Sequence, residues 1–439
     1  MKKNRLAAPG LEDLPGEILF QILGPLPVIT ILRCTAVCKY LNSLIRSSDF
    51  VSHHRRSNAS SNRPSLLLRR CGYAICSGEI EEEFSLYSHP ELLSTSSSID
   101  IFSPFRPNSD DPRRLRVFGS LHGLICLCDN YKTYAYIIYV WNPLLRRFIE
   151  LPRPTLTYGN MGDQLYLEST GDPENVNYLF VVLGFGYDSM RDDYKVVRIV
   201  YSRSAEPPRR AEVYTLKERC WRGVDDAERA LKSCHVRRNW CQCFVDGTIY
   251  WPARVGSKLN YILAFHVDDE RFSRIELPKE LPGAGEPRRI SISETKVTGL
   301  LTVMYRTASS YEILVKKGLG SAEDSWVRFC SIARVQYSHQ VVVGLWRDEK
   351  VLLELNWEDD LTGSLELGED DELCLYDCKT HEIERLGLPG MGLRNRGAAY
   401  AADYTASLVL LEPEFGAVPC WDPVTGYSLI RQDMNFGVM

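Results

Sequence analysis

The sequence predicts an α+β chain in which a short three-helix module precedes a large all-β domain, closed as a six-bladed β-propeller. Three observations predict it. Residues 14–50 hold an apolar surplus, with 20 of 37 residues drawn from Ala, Val, Ile, Leu, Met, Phe, Trp, Tyr and Cys. The texture then turns polar and basic from Ser52 to Pro64. Beyond it, short runs rich in Val, Ile, Tyr, Phe and Trp alternate with Gly, Asp, Asn and Pro, as strands joined by tight turns do.

At about 150 residues per domain, 439 residues make two or three domains with room for at least one large core. The content of 44% hydrophobic and 25% charged residues is that of a chain that collapses and folds. Lys and Arg number 52 against 57 Asp and Glu, so no overall positive field exists to hold nucleic acid or an anionic membrane. The longest apolar runs, such as Tyr178–Leu183 and Tyr134–Trp141, have strand length and fall well short of the roughly 20 residues that cross a bilayer. Membrane insertion is not expected. Lys2, Lys3 and Arg5 lead into Pro9, Gly10, Glu12 and Asp13 without the apolar core of a secretory signal, so a cytoplasmic and/or nuclear location is expected. In that setting the 14 irregularly spaced Cys read as free thiols, and the sequon at Asn58 as unused.

Pro15 suits a first helical turn and Glu17 favours its positive end, while Gly24, Pro25 and Pro27 stop the helix, which gives a first helix over Pro15–Leu23. At about 100° per residue, Leu14, Ile18 and Ile22 share an arc of about 80°, Leu19 and Leu23 follow near 140° and 180°, and Phe20 lies near 240°. Such an arc is wider than one partner needs. The second helix is expected from Ile31 through Val37 with Thr30 as its cap, and the third over Lys39–Ile45.

The pattern Leu14-Pro15-x-Glu17-Ile18-Leu19, Ile22-Leu23, Leu26-Pro27, Leu32-Arg33, Val37-Cys38-Lys39 and Leu44-Ile45 resembles the F-box. Pro25, Ile29 and Leu41 depart from the residues that family members usually carry there, Arg, Lys and Trp respectively. The resemblance places an F-box at residues 11–51, followed by a linker over 52–64.

Residues 65–439 form the β domain. Val140-Trp141-Asn142-Pro143-x3-Arg147-Phe148-x2-Leu151-Pro152 echoes Ala264-Phe265-His266-Val267-Asp268-Asp269-Glu270-Arg271-Phe272-x4-Leu277-Pro278, and Leu375-Tyr376-Asp377 and Trp421-Asp422-Pro423 start further copies. Complementary hairpins begin at Leu121-His122-Gly123-Leu124 and Val245-Asp246-Gly247-Thr248. A lone hairpin cannot bury both faces, so the copies must stack. Groups near 117–151, 181–222, 243–278, 296–330, 340–388 and 396–431 supply six blades, and a closed ring leaves few exposed edges.

The same region is similar to the plant F-box-associated domain, usually described as kelch-like or propeller-like. The likeness is carried by Val117–Leu124, Gly184-Phe185-Gly186-Tyr187-Asp188-Ser189-x3-Asp193-Tyr194-Lys195-Val196-Val197, Glu212-Val213-Tyr214-x6-Trp221-Arg222 and Asp324-Ser325-Trp326.

Signals for chemistry are weak. Gly184-Phe185-Gly186 begins like a dinucleotide fingerprint, but Ser189 holds the third glycine position and no strand–turn–helix context surrounds it. No phosphate loop, nucleophile elbow or HExxH pair occurs, so no catalytic residues are assigned. Cys220, Cys234, His235, Cys241 and Cys243 lack paired CxxC spacing, and Cys126 and Cys128 sit in a strand pattern, so no metal or cofactor is expected. Arg pairs such as Arg146-Arg147 and Arg209-Arg210 read as solvated turns.

The resemblance implies a non-catalytic substrate receptor of an SCF-type cullin–RING ubiquitin ligase. Its F-box docks on the Skp-family adaptor and, through it, on the cullin and RING subunits; its β domain captures a regulatory protein for ubiquitination and proteasomal degradation. The expected adaptor contacts are Leu14, Pro15, Ile18, Leu19, Ile22, Leu23, Leu26, Pro27, Ile31, Leu32, Val37, Cys38 and Leu41. The substrate-binding residues are not legible. A second reading, in which the altered F-box leaves a scaffold or decoy, stays open, and an enzyme would need an acid, base or metal cluster that the sequence does not display.

Overall fold

The computed structural model describes residues 14–61, 65–74, 79–87, 98–101, 115–129, 137–156, 179–202, 210–225, 227–232, 234–236, 242–255, 258–277, 290–295, 299–307, 309–317, 325–334, 340–346, 350–356, 371–389, 400–410 and 418–419. Four helices come first: α1 (Gly16–Leu23), α2 (Val28–Cys34), α3 (Lys39–Ile45) and α4 (Ser48–Ser61).

Pro15 stands just outside α1, where its carbonyl accepts from the amides of Ile18 and Leu19 at 3.1 and 3.3 Å. Gly24 closes the helix by donating to Phe20 O at 2.8 Å; a Cβ there would sit 2.7 Å from that oxygen, so only glycine fits. α2 begins three residues before the expected Ile31 and ends at Cys34 rather than Val37. Pro27, with φ −59°, seeds it and accepts from Thr30 and Ile31, so Thr30 is an exposed helical residue and not the cap. α3 has the expected bounds, and Cys38 caps it by accepting from the Leu41 amide at 3.4 Å.

The stretch read as a connection is helical through Ser61. Its polar sequence hides partners that lie far away in the chain. His54 is fully buried, donates from Nε2 to Leu26 O at 3.3 Å and stacks on Phe50, while Phe50 and Val51 anchor the helix in the core. Tertiary packing here overrides a weak local pattern.

The rest is a ring of six antiparallel sheets. The first blade holds β1 (Ser65–Ala74), β2 (Glu79–Tyr87) and β3 (Ser98–Ile101). The second holds β4 (Leu115–Leu121), β5 (Leu124–Asp129), β6 (Ile138–Asn142) and β7 (Arg147–Glu150). The third holds β8 (Leu179–Asp188), β9 (Asp193–Ser202), β10 (Arg210–Thr215) and β11 (Cys220–Gly223). In the fourth, β12 (Cys234–Val236) and β13 (Cys243–Val245) both pair with β14 (Thr248–Val255), which is followed by β15 (Lys258–His266) and β16 (Arg271–Glu276). The fifth runs through β17 (Ile290–Thr295), β18 (Leu300–Arg306), β19 (Ser310–Lys317) and β20 (Ser325–Ala333). The sixth runs through β21 (Gln340–Trp346), β22 (Lys350–Asn356), β23 (Asp371–Asp377) and β24 (Ile383–Pro389).

Closure is made by one strand. β25 (Tyr400–Tyr404) pairs antiparallel with β1 from Ser65↔Tyr404 to Arg69↔Tyr400, and it touches β4 and β21 on either side. The group expected at 396–431 is therefore not a blade of its own. It lends β25 to the blade formed by residues 65–101, which carries no recognisable hairpin repeat, and sends β26 (Val418–Pro419) to the outer edge of β7. Trp421, Asp422 and Pro423 lie outside the described residues.

The predicted turns take the geometry their residues demand. His122-Gly123 and Asp246-Gly247 both have positive φ at each position, 49° and 77° and then 44° and 72°, as two-residue hairpins require. Asn142 and Asp377 fold the return turns by accepting backbone amides, Leu145 N at 3.2 Å and Lys379 N at 2.7 Å respectively. Between blades, Trp251 of β14 is fully buried and donates to Leu183 O of β8 at 3.0 Å.

Candidate functional site: an apolar face on the helical module and the clamp behind it

α1 carries two apolar ridges with opposite fates. Leu14, Ile18 and Ile22 are 38%, 41% and 54% exposed, whereas Leu19 and Leu23 on the neighbouring arc are buried. Phe20 sets this rotation, meeting Phe50 of α4 edge-on with ring centroids 5.1 Å apart and His53 at 5.4 Å. Ile29 on α2 and Val37 in the following turn are also exposed, so five of the eight large apolar side chains exposed among the described residues lie in one module. Greasy surface concentrated in this way marks an interaction face.

Of the contact residues expected from the sequence, Leu14, Pro15, Ile18, Ile22, Pro27 and Val37 are exposed, and Leu26, Leu32 and Cys38 are half-buried. Leu19, Leu23, Ile31 and Leu41 are buried inside the chain, where they shape the module and hold its helices together. Ile29, absent from that set, is on the surface because Val28 and Ile31 take the inward positions of α2.

Behind this face the module is fastened to the propeller. Asp192, in the turn between β8 and β9, accepts from Ser52 Oγ on α4 and from Tyr187 OH, each at 2.5 Å, and forms an ion pair with Arg55. The Arg55 guanidinium lies 4.3 Å from the centroid of the Tyr187 ring. Burial pushes the Asp192 carboxyl up, but the hydrogen bonds from Ser52, Tyr187 and Arg55 and the Arg55 charge outweigh it and hold its pKa at about 2. One buried apolar cluster continues from Leu23, Ile31, Leu41, Ile45 and Phe50 into Phe118, Leu124, Val140 and Tyr194 of the propeller and Leu408, Val409 and Leu410 beyond β25. Nothing local in the sequence announced this junction: Arg55 and Asp192 are 137 residues apart, and Asp192 is an unremarked position inside the Gly184–Val197 motif.

The other candidates resolve into packing. Cβ atoms on Gly184 and Gly186 would lie 2.3 Å from the Trp251 ring and 2.8 Å from Val267, so the pair admits the next blade rather than a phosphate. Cys126, Cys128, Cys234 and Cys243 are buried, Cys220 is exposed and Cys241 lies outside the described residues. Among the described residues no three His, Cys, Asp or Glu side chains gather as a metal ion needs, and no helix is long and apolar enough to cross a membrane.

Comparison with known proteins agrees with this architecture. Residues 11–56 match the F-box-like family model, and residues 75–312 match that of the F-box associated beta propeller domain. F-box protein CPR1 of Arabidopsis thaliana is 25% identical over 409 residues, covering 88% of this chain and 90% of the relative. An F-box/kelch-repeat protein of Arabidopsis thaliana is 25% identical over 330 residues, covering 73% and 80%. With the propeller match spanning more than half of its length and the helical module matched ahead of it, the chain belongs to the F-box proteins that carry an F-box-associated β-propeller domain.

Proposed function

We propose that the chain is the substrate-receptor subunit of an SCF-type cullin–RING E3 ubiquitin ligase. The exposed ridge of Leu14, Ile18 and Ile22 carries this reading: it is the face a Skp-family adaptor would cover, and the adaptor would in turn bring the cullin and RING subunits. The propeller holds the protein to be marked for degradation. The chain adds no chemistry of its own. Its contribution is effective concentration, since a lysine held beside the charged conjugating enzyme reacts in a nearly unimolecular setting. The ten free cysteines among the described residues fit a reducing cytoplasmic and/or nuclear setting.

The test is a pull-down of the full chain with a Skp-family adaptor, beside a variant carrying Ile18→Asp and Ile22→Asp. The wild type is expected to bind and the variant to lose at least about tenfold in affinity, because desolvated apolar anchors dominate such interfaces. Both positions are exposed, so the thermal transition of the variant is expected to match the wild type. A wild type that ignores the adaptor would overturn the ligase reading and leave a propeller scaffold.

A further inference from the structure

A receptor that works by proximity needs its two ends held at a set distance, and domains joined in one chain ordinarily move relative to each other. Here the joint is not free. Ser52 and Arg55 lie three residues apart on α4, on the same side of the helix, and both reach Asp192. The Arg55 side chain is only 11% exposed, sandwiched between the Asp192 carboxylate and the Tyr187 ring. His122 sits against the same ring at 5.0 Å and bonds Tyr194 OH at 3.2 Å, so the hairpin that carries Asp192 is itself braced by the second blade. Only three residues separate the end of α4 from β1, and the apolar cluster runs unbroken beneath the contact.

We propose that Asp192 is a positioning residue: together with Ser52 and Arg55 it makes the helical module and the propeller one rigid body, so the chain itself sets the angle between the adaptor face and the target-binding domain. The inference deepens the ligase reading and rests on it for its purpose, but the rigidity is testable without any ligase. Asp192 has a defined mechanical task. It ties α4, which Phe50, Val51 and His54 already seat in the helical module, to the turn between β8 and β9 of the third blade.

The test places two spectroscopic labels on the full chain through noncanonical residues at exposed Lys39 and Thr380, and reads their distance distribution. The wild type is expected to give one narrow distribution, and a variant combining Asp192→Ala with Arg55→Ala one at least about twofold wider, as for an ordinary interdomain joint. Asp192→Asn, which can still accept from Ser52, is expected to fall between and serves alone if the double variant does not fold. Adaptor affinity should stay within about twofold in all of them, because Ser52, Arg55 and Asp192 are not part of the exposed ridge of Leu14, Ile18 and Ile22. A wild-type distribution as wide as that of the double variant, or a folded double variant as narrow as the wild type, would overturn the proposal. Absence of adaptor binding would instead overturn the ligase reading and leave the distance result standing.

Discussion

Lys195 Nζ lies 2.8 Å from Glu270 Oε1, joining the third blade to the turn between β15 and β16 of the fourth. The ammonium donates its other two protons to Asp188 Oδ2 at 2.8 Å and Val267 O at 2.7 Å, so all three donors of the buried Lys195 are satisfied. Arg191 and Arg222 close the network from outside, on Asp188 and Glu270 respectively. A fully paired buried charge of this sort specifies one blade register, and it punishes the loss of any member.

Lys195→Ala is therefore expected to destabilise the propeller by about 3 kcal/mol, since it leaves the buried Asp188 and the half-buried Glu270 each with a single, partly exposed arginine. Lys195→Met should cost nearly as much despite its good packing. Denaturant unfolding followed by tryptophan fluorescence measures both, and a loss below about 1 kcal/mol would mean that Arg191 and Arg222 already neutralise the site.

Gly184→Ala attacks the same joint sterically. The added Cβ would meet Trp251 Cζ2 at 2.3 Å, and the ring cannot retreat without losing its bond to Leu183 O. The expected loss is about 1–3 kcal/mol. Gly223→Ala, with nothing within 4 Å of the new methyl, is the control and should lie within about 0.5 kcal/mol of the wild type.

These two positions show how much was legible in the sequence. The two-residue turns and α1 with its two apolar arcs follow from periodicity and turn chemistry, which act over a few residues; the count of six blades holds although one of its groups, 396–431, is not a blade and residues 65–101 take its place. The residues that carried the family resemblance were visible too, but their task was not. Gly184, Asp188 and Lys195 fasten the third blade to the fourth. Glu212, paired with Arg198 of its own blade at 2.6 Å, accepts from the Thr155 amide at 3.0 Å, and Trp221 donates to Pro152 O at 2.7 Å, so both hold the segment that follows β7 of the second blade. Each partner outside the third blade lies more than fifty residues away, so spacing could not reveal it. The helix at α4 and the use of residues 65–101 as a blade were illegible for the same reason, because both depend on contacts made only when the ring closes.

Acidification should loosen the helical module before the propeller. Burial lowers the pKa of His54 below its ordinary 6.5, opposed by its bond to the Leu26 carbonyl and reinforced by the neighbouring His53. In the window below 6.5 the unfolded chain binds a proton that the folded chain refuses, so stability falls as the pH drops through the depressed value. Amide protection factors in α1 and α4, which remove the intrinsic pH dependence of exchange, should fall as the pH drops below 6.5, and His54→Phe should abolish that dependence. The Asp192 clamp obeys the same sign at lower pH. Its pKa near 2 preserves the docking above the usual carboxylate range, and the contribution disappears only as pH falls from there toward 2.

The last expected outcome concerns a residue that touches neither the apolar ridge nor the clamp. Asn142, fully buried at the end of β6, donates from Nδ2 to Ser407 O at 3.1 Å and Val409 O at 2.8 Å, while Arg147 Nη1 donates to Leu410 O at 3.3 Å. These bonds pin the segment that leaves the closing strand β25, and Leu408, Val409 and Leu410 within it belong to the same buried cluster as the helical module. Ring closure and the seating of the helices are thus physically joined. Asn142→Ala would leave two buried carbonyls without a side-chain donor, a cost of about 2 kcal/mol. If the coupling is real, that loss should appear as faster exchange in α1 through α4 as well as in β25, although the substituted residue belongs to the second blade. Exchange confined to β6 and β25 would show that the helical module stands on its own packing.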